Sequence, residues 1–399
     1  MFFKKDEIKH LGVFYVYLFL YGMSTMILPF LIIYFRELNF TFLQIGFIMG
    51  VMRISMVIFE IPTGAFADSF SRKKSVIFGF IFGGISIILV PFVNSYLLIL
   101  VLWSLIGLAF TFVSGAEEAW VISNLNFFKR KDLHQEYFVK ARIISSIGIA
   151  IAPFIGALLV KSYSIKLLWI IFGASFLVNS LILFIFAKEH YKTKKLKLID
   201  SIKMTKSNTK KAIEFSFKNK QVFLLLLGSM FVALMYFGVE GGQPLLVSLS
   251  LPKYALGIVE TCMQITVMVA ALSSGFFVKK KLKQVLPLVI IIIIIISLSL
   301  LFVNSPYFIF GAMIYALSNG IFFLNEPLIQ SNLHKYIPEK LRATVTSTRS
   351  MLLQLVGAIG AVTAGYLMDI FGPKKVIAYG SLFGIFAIIT FLKLKDDKK

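Results

Sequence analysis

The chain is predicted to be an all-α integral membrane protein, with about twelve transmembrane helices in two pseudo-symmetric bundles of six. Three observations carry that expectation. First, about twelve apolar runs, most of them roughly 20 to 25 residues long, follow one another from Leu11 to Leu392, and each can cross a hydrocarbon core of about 30 Å. Second, Lys and Arg crowd every second connection. Of 41 in the chain, 33 fall in segments 1–10, 68–74, 127–142, 188–220, 279–283, 333–342 and 393–399. The alternate connections hold 6, and Arg53 and Arg349 lie inside apolar runs. By the positive-inside rule both termini and the long central loop are cytoplasmic, which requires an even number of spans. Third, the runs divide six and six about the Lys-rich stretch 188–220.

Composition closes off other classes. The chain is 58% hydrophobic and 15% charged, where soluble domains carry about 25% charged residues. A net charge of +22 on one folded face would suggest nucleic acid. Spread over membrane-proximal loops, it points to anionic inner-leaflet lipids and to no nucleic-acid partner. The single cysteine, Cys262, sits in an apolar run, so no intrachain disulfide framework is expected. The first run, Leu11 to Phe35, is too long for a signal-peptide core and lacks a small-residue cleavage site, so it is expected to remain as helix 1. The expected location is a bacterial inner membrane.

The spans are expected at 11–35, 42–66, 75–93, 96–126, 142–160 and 166–187, then 221–249, 256–278, 285–303, 307–332, 343–369 and 374–392. The run Val289 to Ile296 is β-branched, but at membrane length it reads as helix. Residues 1–187 form the expected first bundle, 188–220 a cytoplasmic linker and 221–399 the second bundle. An amphipathic surface helix fits within the linker, for example Ile199 to Phe217. The halves repeat weakly at an offset near 209, which places Gln221 on Gly12, Glu117 on Glu326 and Gly156-Ala157 on Gly365-Tyr366. Six-helix repeats with a solute site at their interface are an architecture of secondary transporters. Such a chain is expected to work as a monomer.

The sharpest motif lies between helices 2 and 3: Gly64-Ala65-Phe66-Ala67-Asp68-Ser69-Phe70-Ser71-Arg72-Lys73-Lys74. It resembles the signature of the major facilitator superfamily, a Gly, an Asp four residues on, then a basic cluster. The resemblance implies that Gly64 lets helix 2 pack closely on helix 11. It also implies that Asp68 engages the end of helix 11 and a nearby Arg in an outward-open state, with Arg72 and Lys73 completing the switch. The N-terminal dipole near Arg342 to Val345 suits such a contact. Ser71 stands where the family usually has Gly, so a looser turn is expected, and the second-half stretch Gly275 to Lys281 has Lys279 in place of the Asp. The plainer alternative is a positive-inside loop that happens to contain an Asp.

In helix 5, Gly148-Ile149-Ala150-Ile151-Ala152-Pro153-Phe154-Ile155-Gly156-Ala157 resembles the Gly-rich, Pro-containing signature of proton-coupled drug exporters in the same superfamily. Small residues at Gly148, Ala152 and Gly156 would let helices 5 and 8 approach, and Pro153 would bend the helix. The alternative is a packing face that any helix bundle could show. The resemblance spans the whole chain in architecture but only about 21 residues in motifs.

Charges within the membrane cost roughly 2.5 to 3.5 kcal/mol each and need a reason. Arg53 lies near the middle of helix 2, with Glu60 two turns further on the same face. Glu117 and Glu118 follow Ser114-Gly115-Ala116 in helix 4, and Glu326 precedes Pro327 in helix 10. Glu326 and Arg349 read as an inner-gate ion pair, with Glu117 or Glu118 and Arg142 as the first-half counterpart. Alternatively, one acid carries a proton. Without a Gly-Lys-Ser/Thr phosphate loop, ATP does not drive transport directly, so an ion gradient, here protons, is expected to. Glu117, Glu118 and Glu60 are the candidates. Glu117 is favoured because its repeat mate Glu326 puts it on a face looking into the bundle, and desolvation favours the neutral form of a buried carboxylate.

A wide apolar cavity is expected from Tyr17, Tyr21, Met23, Met26 and Tyr34 of helix 1 and Met230, Met235, Tyr236 and Phe237 of helix 7. Glu240, Gln243 and Arg53 are its polar candidates, although any single aromatic in so Phe-rich a chain is more often core or lipid-facing. Glu260, near an outer helix end, is expected to face water. The amides a sugar porter needs are few: Gln243, Gln264, Asn319 and Asn325. Aromatics and Met suit amphipathic solutes of variable shape. The expected function is therefore proton-coupled export of small amphipathic or hydrophobic compounds by alternating access. Uptake of a small metabolite is the alternative, and a channel a further one. No enzyme signature, cofactor or metal site is expected, since His10, His134, His190 and His334 lie in loops without metal spacing.

Overall fold

A computed structural model describes residues 3–190, 198–278 and 282–395, so Lys279, at the decayed second-half motif, falls outside it. Among the described residues twelve helices are long and apolar enough to cross a membrane. They are α1 (Glu7–Glu37), α2 (Phe42–Ser69), α3 (Arg72–Phe92), α4 (Tyr96–Phe127), α5 (Lys131–Ser162) and α6 (Ile165–Phe186). After a linker helix, Leu198–Lys218, come α7 (Lys220–Ser248), α8 (Ala255–Phe277), α9 (Leu282–Phe302), α10 (Phe308–Tyr336), α11 (Thr344–Phe371, helical from Glu339) and α12 (Pro373–Leu392). Helix is the form that closes every backbone hydrogen bond within one segment, which hydrocarbon demands.

Most bounds agree with the apolar runs to within a few residues. The exception is α5, whose regular helix starts at His134 rather than 142. The polar turns His134–Arg142 are amphipathic: Tyr137 and Lys140 are buried while Phe138 and Val139 are exposed. His10, His134 and His334 also lie in helical turns rather than loops.

Five of the described spans are interrupted, α12 by a 3-10 turn at Ser381–Phe383 and four others as follows. The α1 helix passes through a 3-10 segment, Thr25–Phe30, containing Pro29, which lacks an N–H. A second 3-10 turn, Val239–Gly241, interrupts α7. The break in α4 falls at Ser114–Gly115, where Gly115 adopts φ +70, open to glycine at no cost. Helix α10 breaks between Phe322 and Asn325. The inner arms beyond these two breaks, Ala116–Phe127 and Asn325–Tyr336, have 12 residues each. They match end to end at the 209-residue offset, so the repeat extends to where the helices break.

The chain divides into two compact units, Met1–Leu28 with Val51–Lys206 and Pro29–Gly50 with Ser207–Lys399. This differs from the expected boundary, because Pro29–Gly50, the end of α1 and the start of α2, belongs to the second unit. In the first unit, α1 and α5 touch backbone to backbone. A Cβ on Gly22 would fall 2.4 Å from the Ser145 carbonyl, and one on Gly148 would fall 2.6 Å from that of Phe19. In the second unit, Val222, Leu225, Leu286, Ile290, Leu328 and Phe391 centre a continuous apolar core. A separate seam there joins the start of α2 to α11, with Gly46 against Ala361 and Gly365 against Phe42.

Candidate functional site

The second unit holds the expected ion pair. The α10 break puts Glu326 in the first turn of the inner arm, near the positive end of that short helix. Arg349 grips it with both prongs, Nη1 to Oε1 at 2.8 Å and Nη2 to Oε2 at 2.7 Å. Arg349 also donates to Gln330 Oε1 at 3.1 Å and Ser229 Oγ at 3.3 Å. The guanidinium is buried, at 6% exposure for the residue, whereas the Glu326 side chain is 51% exposed. A forked pair of this kind fixes direction as well as distance.

The first unit places its acid alike and partners it differently. Glu117 occupies the first turn of the inner arm of α4. Its carboxylate accepts from the Tyr137 hydroxyl and lies beside that of Tyr17, and both rings are buried. Arg142 is exposed and, among the described residues, makes no ion pair, which corrects the expected pairing with Glu117 or Glu118. Two residues along the α5 helix rotate a side chain by about 200°, and Lys140 is the cation that turns inward. It binds Glu7 of α1 at 2.7 Å and Glu136 at 3.0 Å. Glu7 is 0% exposed and also accepts from the Tyr15 hydroxyl at 2.9 Å and the Lys4 N–H at 2.8 Å. Nothing in the apolar pattern pointed to this buried pair, because both residues lie in stretches read as cytoplasmic loops.

The remaining acids of the first unit carry less. Glu118 is exposed, and Glu60 is half-buried, its side chain without a hydrogen bond or ion pair among the described residues. Arg53 is half-buried on α2. Tyr21 and Met26 are packed, Tyr21 edge-on to Phe80, so the aromatic face of α1 is largely core. The small face of α5 (Gly148, Ala152, Gly156) is buried with Pro153, and Gly148 meets Gly22 of α1. The helix runs unbroken through Pro153.

In the second unit the interruption of α7 groups several polar side chains. Gln243 is a structural capper there, for its Oε1 accepts the Ile32 N–H at 3.0 Å, where the 3-10 segment leaves α1 restarting. Glu240 lines a small cavity with Ile32, Phe42, Gly46, Ala361 and Met368. Tyr236 stacks on Phe322 with centroids 4.2 Å apart. Glu260 is half-buried beside Gln264 rather than turned to water, as the sequence had suggested. Asp369, which sequence reasoning missed, caps α2 by accepting from Phe42 N at 2.9 Å and Leu43 N at 2.8 Å. Thr41 and Gln44 close a capping box at the same turn, the Thr-x-x-Gln signal that marks such a terminus.

Twelve spanning helices, a repeat whose inner arms break at matching positions, and acids set in both arms form the geometry of a carrier. The profile of the Major Facilitator Superfamily matches residues 13–361. The chain belongs to the major facilitator superfamily. It is similar along its length to YxaM of Bacillus subtilis (strain 168), an uncharacterized MFS-type transporter, at 25% identity over 97% of both chains. It is also similar to MJ1560 of Methanocaldococcus jannaschii, likewise an uncharacterized MFS-type transporter, at 24% identity over 92% of this chain and 94% of that one. The fold matches the crystal structure of nucleoside transporter NupG, with a TM-score of 0.77, 16% identity, and 96% and 98% of the two chains covered. It also matches a bacterial homolog of the human lysosomal transporter Spinster, with a TM-score of 0.75, 12% identity, and 98% and 97% covered. The chain is a multi-pass secondary transporter of this superfamily and not an enzyme.

The superfamily's loop signature has a defined geometry here. Asp68 pairs with Arg72 at 3.2 Å and keeps 59% of its side chain exposed. Arg72 is anchored in turn to the Ala119 carbonyl at 2.9 Å and to Ser123. Ser71 does not loosen the turn. It N-caps α3 by accepting from Lys74 N at 3.0 Å, and its hydroxyl donates to Glu189. Lys73 caps the end of α6 through the Phe184 and Ala187 carbonyls at 2.9 and 2.6 Å. A Cβ on Gly64 would meet nothing within 4 Å among the described residues.

Proposed function

We propose that this transporter exports small amphipathic compounds in exchange for protons, with Glu117 as the proton carrier. One observation carries the reading: Glu117 is a membrane-embedded carboxylate held by tyrosine hydroxyls rather than by a cation. Protonating it removes no ion pair and orphans no buried positive charge, whereas protonating Glu326 would strand Arg349. A hydroxyl can donate to the carboxylate or accept from the acid by rotating, so the pocket accommodates both states. The helix terminus under Glu117 supports the charged form when the proton leaves. Asp68 and Arg72 serve as the conformational switch, with the Glu326–Arg349 pair as an inner-end clasp that each cycle must release.

The test is Glu117→Gln in proteoliposomes. The variant is expected to bind and exchange solute but to lose accumulation driven by an imposed pH gradient. Unchanged pH-driven transport would remove Glu117 from the coupling role. Drug accumulation in cells with and without the gene decides direction, because export lowers it and uptake raises it. The charge bias supports a cytoplasmic side for both termini and the linker. A cysteine in place of Thr205 should resist an impermeant thiol reagent added to intact cells.

A further inference from the structure

Glu260 lies on α8 in the second unit, half-buried, and among the described residues no Lys or Arg pairs with it. A carboxylate within the membrane is expensive to desolvate, so one without a cation needs another account. Among the described residues its carboxylate takes one hydrogen bond, from Gln264, a turn away on the same helix, whose Nε2 donates to Oε1 at 3.0 Å. That bond orients the carboxylate while leaving its second oxygen and the Gln264 carbonyl uncommitted.

Two tyrosines within electrostatic reach of Glu260 are held by their rings and not by their hydroxyls. Tyr236 is stacked on Phe322, and Tyr315 is wedged over Gly242, where a Cβ would come 2.1 Å from the ring. Neither hydroxyl bonds to protein among the described residues. An independent observation lies one turn along α10. Asn319 is 3% exposed, and its Nδ2 donates to the Tyr315 carbonyl at 2.7 Å. Its Oδ1 is buried without a partner among the described residues, and Asn319 lines a small cavity with Tyr236, Ser318 and Phe322. A buried acceptor without a donor is destabilising, and a ligand that supplies the hydrogen relieves it.

The group is rich in acceptors, carries negative charge and is faced by aromatic rings. A neutral occupant would leave the carboxylate uncompensated, whereas an ammonium supplies charge and N–H donors together and is attracted to the aromatic faces. We propose that Glu260, Gln264, Tyr236 and Tyr315 form a binding site for the protonated amine of an organic cation. This rests on the transporter reading above and names the solute class.

The test uses the full-length protein in nanodiscs, titrated at neutral pH with tryptamine and daunorubicin, each beside its uncharged N-acetyl derivative. At least one amine is expected to bind tenfold or more tightly than its acetylated partner. Glu260→Gln should abolish that preference while leaving the melting temperature of the free protein unchanged. Tyr315→Phe, which removes only a hydroxyl, should weaken the amine several-fold. No preference for either amine, or a preference that survives Glu260→Gln, overturns the proposal. Binding is read at equilibrium without a gradient. Its failure therefore leaves proton-coupled transport standing, and the failure of coupling leaves the amine site standing.

Discussion

Glu117 and Glu326 occupy the same position of the repeat, the first turn of a 12-residue inner arm, yet one is held by tyrosines and the other by an arginine. The cation was not lost from the first half. At the 209-residue offset, Arg349 corresponds to Lys140, so both halves keep a positive charge at this point. The acids around it differ. Glu7 takes Lys140 in the first unit, and its counterpart is Ser216, so Arg349 is left to Glu326. Tyr137 and Tyr17, which hold Glu117, correspond to Thr346 and Leu226, neither able to reach a carboxylate as a phenol does. One acid added on α1 and two phenols thus leave Glu117 without the cation that grips Glu326.

Thermal unfolding of the purified protein should rank these partnerships. The largest loss is expected for Lys140→Met, about 3 to 5 kcal/mol, because Glu7 would remain buried and charged. The double variant Glu7→Leu with Lys140→Met should recover most of it. Losses that simply add would mean the two residues are not coupled. Glu326→Gln should cost less, about 1 to 3 kcal/mol, since that side chain is 51% exposed and water screens the pair. Glu326→Arg combined with Arg349→Glu should regain part of the lost transport, and a dead swap would argue against a simple clasp. Asp369→Ala should cost about 0.5 to 2 kcal/mol, as the loss of a helix cap does, and Asp369→Asn markedly less. Glu117→Gln should be smallest, under about 1 kcal/mol, because an amide oxygen still accepts from tyrosine. If its cost instead matched that of Glu326→Gln, Glu117 would be a structural charge, and the contrast between the halves would collapse.

Much of the architecture was legible in the chain. Helix number, the two halves and the 209-residue repeat follow from run length and from one acid aligned with another. The Glu326–Arg349 pair was legible because α10 and α11 are joined by a short connection, so residues flanking it at similar depth have few other places to go. The first-half equivalent was misread at both ends, with Arg142 in place of Lys140 as the cation and Glu117 or Glu118 in place of Glu7 as the acid. Both cations lie in one polar segment, and only the start of α5 at His134 shows which face of that segment turns inward. Glu260 was misread for the same reason. An acid near a helix end looks alike in sequence whether it faces water or sits half-buried beside an amide of its own helix.

The sequence by itself determined how many helices there are, which of them are equivalent, and which loops carry the positive charge. A bilayer imposes length, apolarity and charge bias on every spanning segment separately, so those properties are local. Which carboxylate meets which partner was decided only by the tertiary structure. That choice turns on angles of about 100° per residue around each helix and on how closely helices approach, as where Gly22 meets Gly148 and brings α1, with Glu7 at its start, against α5 and Lys140. Those distances exist only once the helices are packed.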